Sequence, residues 1–204
     1  MLKTYWLKLN KDKLARIIST IFIPPAFTLA VFIVFTFQLE RDEIKRTITI
    51  LNALVFGVIA PITLFIRLRR SGNLVDQDAS IKEERTIPYM IAVLFYSIGL
   101  AVLIIFKVNI TTMAFWFCYI SNTILTIIIN RKWKISAHAM GVSGPLAAIT
   151  YVFGPIALLF TILVVLVGWS RIQLKCHTFS EVAGGVILAF LSTYLQIYLI
   201  VKIF

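Results

Sequence analysis

Charged side chains are scarce in this chain. Lys, Arg, Asp and Glu make up 14% of its 204 residues, whereas soluble domains carry about 25%. Hydrophobic residues make up 60%, and the mean hydropathy is +0.94. Such a composition excludes a water-soluble globular domain, because the polar side chains are too few to cover its surface.

Cysteine and histidine are also rare. The two cysteines, Cys118 in an apolar run and Cys176 in a polar segment, exclude a disulfide framework and a CxxC metal site. Asp76 and Asp78 could form a metal-binding carboxylate pair, as in membrane prenyltransferases, but the chain has no second aspartate-rich segment. We therefore expect neither a metal nor a cofactor.

Long apolar runs fill most of the chain. Each is near the roughly 20 residues that span the hydrocarbon core of a bilayer, and unbroken apolar runs favour helices over the alternating strands of a barrel. The sequence therefore predicts an all-α, polytopic transmembrane bundle of six to seven spans that forms a single domain, residues 1–204. The seven runs lie at about 17–37, 48–66, 87–106, 110–129, 136–153, 154–169 and 181–203.

Prolines and glycines mark two uncertain places. Pro24-Pro25 interrupts the first run, which we expect to cross the membrane, the alternative being a kinked or re-entrant segment. The run is too long for a signal peptide and has no small-residue cleavage site, so we expect it to stay in the mature protein. Gly154-Pro155 predicts a tight turn between the fifth and sixth runs.

The net charge of +11 raises the question of nucleic-acid binding. The basic residues are scattered over short loops, however, and do not form one soluble basic face, so we expect no nucleic-acid partner. If all seven runs cross, 15 of the 20 Lys and Arg lie on the side that holds the N-terminus. The positive-inside rule makes that side cytoplasmic.

Polar clusters on that same side contain the candidate functional residues. Lys82 and Arg85 precede the third run, His138 begins the fifth, and His177 stands between the sixth and seventh. Two membrane passes separate each cluster from the next, so all three can share one end of the bundle.

These residue types suit the chemistry of a phosphate ester. Cations such as Lys82, Arg85 and Arg171 would hold the phosphoryl oxygens, and the two histidines would supply a nucleophile and an acid. His177 and Glu181 are four residues apart, so a helix that begins near Thr178 would let the carboxylate bond one ring nitrogen and fix the tautomer. Nothing in this scheme requires a metal. The residues alone leave open which histidine attacks.

The pattern Ser170-Arg171, five residues, His177, three residues, Glu181 resembles the third signature of the type 2 phosphatidic acid phosphatase family. Ser136-Ala137-His138 is similar to its second, and the resemblance covers about residues 82–185. Three positions depart from the family pattern. Ala137 replaces a glycine, Glu181 replaces an aspartate, and the spacing of Lys82, Arg85 and Pro88 differs from that of the first signature.

The resemblance implies a metal-independent lipid phosphatase that works through a phosphohistidine. His177 would be the nucleophile, Glu181 its orienting carboxylate and His138 the acid for the leaving alcohol. The phosphate-binding residues would be Lys82, Arg85, Ser136, Ser170 and Arg171. Substrates and partners would be lipid phosphates and membrane lipids, in the inner or cell membrane of a bacterium or archaeon.

Two other functions stay open. A catalytically altered member of this family could act as a lipid-binding or scaffold subunit, which the changed second signature favours. A small proton-relaying transporter fits less well, because its ionisable groups should lie at mid-span and not at helix ends. The side of the membrane that the candidate site faces is open as well. Known members of the family carry their sites on the outer face, and a re-entrant first run would place the polar clusters there.

Overall fold

A computed structural model describes the backbone of residues 2–75 and 81–204, and the side chains of these ranges from residue 10 onward. All regular structure in this part of the chain is helical. A π-helical segment, Ala53–Ile59, joins α3 to α4, and 3-10 turns at Glu83–Arg85 and Pro155–Phe160 precede α5 and α8. The α-helices are α1 (Leu2–Ile21), α2 (Pro24–Leu39), α3 (Glu43–Asn52), α4 (Ala60–Arg70), α5 (Thr86–Ile105), α6 (Ile110–Asn130), α7 (Ala137–Phe153), α8 (Thr161–Gln173) and α9 (Phe179–Ile203).

Several helical segments are long and apolar enough to cross a membrane, which confirms the predicted helical bundle at that level. Five segments of the described chain qualify, and a sixth is added if α1 and α2 are counted as one bent span. The predicted fifth run is helix α7, which has only 17 residues. The five segments are Glu43–Arg70, Glu83–Ile105, Ile110–Asn130, Pro155–Gln173 and Phe179–Ile203.

The first run is not one continuous helix. α1 ends at Ile21, α2 begins at Pro24, and the two meet at an angle of 46°. The prolines cause the break, because they lack the N–H that a continuing helix would need and instead occupy the first two positions of α2. At its other end α2 reaches the start of α6, where a carboxylate oxygen of Glu40 accepts the Asn109 N–H.

Small residues bring α7 against its neighbours. A methyl group on Gly141 would lie 2.5 Å from Cβ of Pro24, and one on Gly185 would lie 3.0 Å from the Ser136 carbonyl oxygen. A methyl group on Gly184 would lie 2.4 Å from the Trp133 ring. Gly184 and Gly185 thus allow the start of α9 to lie close to α7 and to the loop before it.

Polar side chains link α6 to α9 within the bundle. Asn122 donates to Thr193 Oγ1 at 3.0 Å and accepts from the hydroxyl of Ser192 at 2.8 Å. Gln196 Nε2 donates to the same Asn122 oxygen at 3.3 Å. Such contacts between membrane helices hold the two helices in a fixed register.

Candidate functional site

The three polar clusters predicted to share one end of the bundle do meet. They lie just before α5, in the 131–136 loop with the first turn of α7, and in the 174–178 loop with the first turn of α9. Three hydrogen bonds connect these segments: Arg85 Nη1 to the Ile135 carbonyl at 3.0 Å, the Ser136 N–H to the Glu181 carbonyl at 3.3 Å, and Lys134 Nζ to the Cys176 carbonyl at 2.6 Å. Lys134 thus joins two of the loops.

The histidine before α9 is held by a carboxylate on that helix. His177 Nδ1 lies 2.7 Å from Glu181 Oε2. Thr178 caps the helix, since its hydroxyl accepts the Glu181 N–H at 3.3 Å while Glu181 Oε2 accepts the Thr178 N–H at 3.3 Å. This capping box fixes the carboxylate beside the ring. The predicted helix start near Thr178 and the predicted His177–Glu181 contact are both confirmed.

The surroundings of His177 disfavour its protonation. Burial lowers the pKa of the ring well below its usual value, and the positive charges of Arg85, Lys134 and Arg171 lower it further. The neutral ring therefore donates its Nδ1 proton to Glu181, which leaves the lone pair on Nε2. A nucleophile or a general base needs that state.

One cavity of about 500 Å³ brings together half of the predicted site residues. Arg85, His138, Arg171 and His177 all line it, and Arg16 of α1 lines it as well. The described residues around it include three arginines and no aspartate or glutamate. Such a concentration of positive charge is typical of an anion-binding site.

The first helix forms part of this cavity, which we did not predict. Arg171 is fully buried, and its Nη1 donates to Ser19 Oγ at 2.6 Å. One turn earlier, Arg16 faces the same cavity. Gln173 Nε2 also donates to Asp12 Oδ1 at 2.8 Å, so two polar contacts hold α1 against α8. The one sequence feature that relates Arg16 to Ser19 is their three-residue spacing, which places them on the same face of a helix.

Three of the predicted phosphate-binding residues are outside the described lining of the cavity. Ser136 caps α7 by accepting the Ala139 N–H at 3.3 Å. Ser170 donates to the Val167 carbonyl at 2.7 Å, and Lys82 donates to the Arg131 carbonyl at 3.4 Å. Asp76 and Asp78 lie outside the described residues.

The cavity continues from the arginines into the bundle. Thr126, Asn122, Tyr119 and Phe115 line it along one face of α6. Eleven residues of helix correspond to a depth of about 16 Å. The cavity thus joins a cationic end to a long, mostly apolar interior.

A smaller depression of about 360 Å³ lies on the other side of His177. Glu181, Lys134 and Lys175 line it together with His177. Burial, followed by the charge of Arg85, lowers the pKa of Lys134 from its usual value. His177 therefore forms part of the wall of both spaces.

Comparisons of the chain with protein-family models, curated proteins and solved structures gave no significant match. Arguments about function therefore start from the geometry of the site.

Proposed function

We propose that this protein is a metal-independent membrane phosphatase that hydrolyses the phosphate monoester or diphosphate of a lipid through a phosphohistidine on His177. The observation that carries the proposal is the 2.7 Å contact between His177 Nδ1 and Glu181 Oε2, made by a histidine that lines the arginine-rich cavity. A neutral imidazole with a fixed tautomer beside several cations is suited to attack a phosphate group.

In the first step, His177 Nε2 attacks phosphorus. A P–N bond forms while the P–O bond to the lipid breaks, and His138 gives its proton to the departing alcohol oxygen. Glu181 stabilises the positive charge that develops on the His177 ring. Arg85 and Arg171 stabilise the charge on the equatorial oxygens, as guanidinium groups do in other phosphoryl transfers.

In the second step, water attacks the phosphohistidine. His138, now neutral, takes a proton from the water, the P–N bond breaks, and His177 again becomes a neutral ring with its proton on Nδ1. Inorganic phosphate and the lipid alcohol are the products. The two histidines therefore end the cycle in the states in which they began it.

The shape of the cavity supports a lipid as the substrate. A phosphate at the arginines would leave the apolar extension along α6 for the hydrocarbon chain. Phosphatidate, phosphatidylglycerophosphate and a polyprenyl diphosphate all have this form. The sequence resemblance to type 2 phosphatidic acid phosphatases supports the same class of substrate.

We further propose seven membrane passes, formed by the α1–α2 pair, the five long apolar segments and α7, with the site on the cytoplasmic side of the inner or cell membrane of a bacterium or archaeon. Two contacts support the crossing of the first pair. Ser19 lies beside Arg171 near the end of α8, and Glu40 lies beside Asn109 at the start of α6. Ser19 therefore lies at one end of the bundle and Glu40 at the other, as expected if the α1–α2 pair crosses from one side to the other.

A substrate panel with detergent-purified protein in excess EDTA tests the proposal. We expect phosphate release from at least one lipid phosphate, and inhibition by vanadate, which can mimic a five-coordinate phosphoryl group on a histidine. Complete loss in EDTA with recovery on addition of Mg²⁺ would contradict the mechanism. Lipid binding without any phosphate release would favour a scaffold subunit.

A further inference from the structure

The sequence pattern assigns two cations of the segment before α5, Lys82 and Arg85, to phosphate binding, but only one of these two described residues lines the cavity. Arg85 lines it, but Lys82 is not among the described lining residues. The Lys82 ammonium group donates to the Arg131 carbonyl at 3.4 Å and lies 3.8 Å from Glu83 Oε1. Its side chain is thus committed to the loop surface, where it is 30% exposed.

A cation from a distant part of the chain occupies the cavity instead. Arg16 of α1 is half-buried and lines the space that Arg85, Arg171 and both histidines share. Ser19 lies three residues further on the same face of α1, and its hydroxyl is 2.6 Å from Arg171 Nη1. Arg16 is therefore one helical turn from an atom in direct contact with a predicted phosphate-binding guanidinium.

The position of α1 is defined by more than one contact. Asp12 accepts a hydrogen bond from Gln173 at 2.8 Å, and Ser19 accepts one from Arg171. These contacts lie about two turns apart along α1 and keep the face between them, which includes Arg16, turned toward the end of α8. A side chain held in this way can bind a ligand with a smaller loss of conformational entropy.

The charges also favour an anion at this point. The guanidinium groups of Arg16, Arg85 and Arg171 line one small cavity. A lipid phosphate dianion or diphosphate bound there would be attracted by all three charges. We infer that Arg16 is the third cation of the phosphate-binding site and takes the role that the sequence pattern gives to Lys82. This inference rests on the proposed function.

The test compares Arg16→Gln, Arg16→Lys and Lys82→Gln with a matched control, Lys11→Gln. Lys11 is an exposed cation of α1, five residues before Arg16 and on another side of the helix. Two quantities are measured for each purified protein: kcat/KM with a short-chain lipid phosphate, and the affinity for inorganic phosphate by calorimetry. The thermal midpoint of each variant reports whether α1 remains in place.

We expect Arg16→Gln to lower both kcat/KM and phosphate affinity by about 10- to 100-fold, as befits the loss of a charge-assisted hydrogen bond. Arg16→Lys should restore part of both values because it keeps the charge. Lys11→Gln should remain within about twofold of the wild type, and Lys82→Gln should lose less than Arg16→Gln.

Several outcomes would overturn the inference. One is an Arg16→Gln variant that binds phosphate as well as Lys11→Gln does. Another is a larger loss from Lys82→Gln than from Arg16→Gln. A lower thermal midpoint with no recovery in Arg16→Lys would assign Arg16 a structural role. A wild type that binds phosphate but hydrolyses no lipid phosphate would overturn the proposed function alone. In that case the phosphate affinities measured by calorimetry still decide the role of Arg16. A wild type that neither binds phosphate nor hydrolyses lipid phosphates overturns both.

Discussion

A single carboxylate oxygen, Oε2 of Glu181, lies 2.7 Å from the Nδ1 atom of His177 and also accepts the Thr178 N–H at 3.3 Å. The oxygen that orients the histidine thus belongs to the cap of α9. Because the cap is part of the fold, the position of the ring is set by the helix end and does not depend on a mobile loop.

The first prediction concerns the protonation of His177. The chain has only two histidines, so in a His138→Gln variant the ¹⁵N spectrum of histidine-labelled protein reports His177 alone. We expect the Nδ1–H tautomer, with no titration between about pH 8 and pH 5, because burial and nearby cations lower the pKa.

The sign of the accompanying stability effect follows from linkage. Below the ordinary histidine pKa of about 6.5, the unfolded chain takes up a proton at His177 that the folded protein does not. This residue therefore lowers the free energy of unfolding as the pH falls through that range. A ring that titrates near pH 6.5 in the folded protein, or one with its proton on Nε2, would refute the assignment.

The second prediction concerns Glu181. Glu181→Gln should lower kcat by roughly 10²-fold or more, because an amide does not stabilise the charge that develops on the ring. The Gln oxygen can still accept the Thr178 N–H, so α9 should remain capped and the thermal midpoint nearly unchanged. Glu181→Asp keeps the charge and should lose less. Equal activities of the two variants would argue against an electrostatic role.

Much of this site follows from local sequence patterns, and the remainder does not. The four-residue spacing of His177 and Glu181 predicts their contact because a helix fixes the distance between such positions. The cap at Thr178 and the turn at Gly154, where φ is +77°, are equally local. The position of α1 depends instead on how distant helices pack, and no periodicity in residues 2–21 identifies α8 as the neighbour of Ser19.

The break in the first run shows the same limit. The sequence marks Pro24-Pro25 as an interruption, but it gives neither the 46° angle of the bend nor the close approach of Pro24 to Gly141 of α7. Likewise, Lys82 and Arg85 form one cationic cluster in the sequence. Only the tertiary structure directs Arg85 to the Ile135 carbonyl in the interior and Lys82 to the loop surface.

The third prediction concerns the contact between α7 and α9. Gly185→Val would bring side-chain atoms against the Ser136 carbonyl, where even a methyl group would lie at 3.0 Å. We expect a loss of about 1–3 kcal/mol in the free energy of unfolding. Activity should also fall, because α7 carries His138 and α9 begins just after His177. Leu191→Val on an exposed part of α9 is the control and should be nearly neutral. A stable Gly185→Val protein with full activity would show that this contact does not set the geometry of the site.

The fourth prediction concerns the side of the membrane. Seven passes that start from a cytoplasmic N-terminus place the C-terminus outside the cytoplasm. A reporter that works only outside the cytoplasm should therefore be active when fused after Phe204, and a reporter that works only inside should not. Reporters that place both ends of the chain in the cytoplasm would contradict the seven-pass arrangement and move the cationic cavity to the outer face.

The fifth prediction tests the central claim, a covalent bond between phosphorus and His177. Purified protein is mixed with a ³²P-labelled lipid phosphate in EDTA and quenched within milliseconds to seconds into alkaline denaturant, since phosphohistidine is labile in acid. Peptide mass spectrometry then locates the label. We predict a phosphoryl group on the peptide that contains His177, lost in His177→Ala and formed more slowly in His138→Gln, which lacks the acid of the first step. Lipid-phosphate hydrolysis that continues within a few-fold of the wild-type rate in His177→Ala would contradict the account.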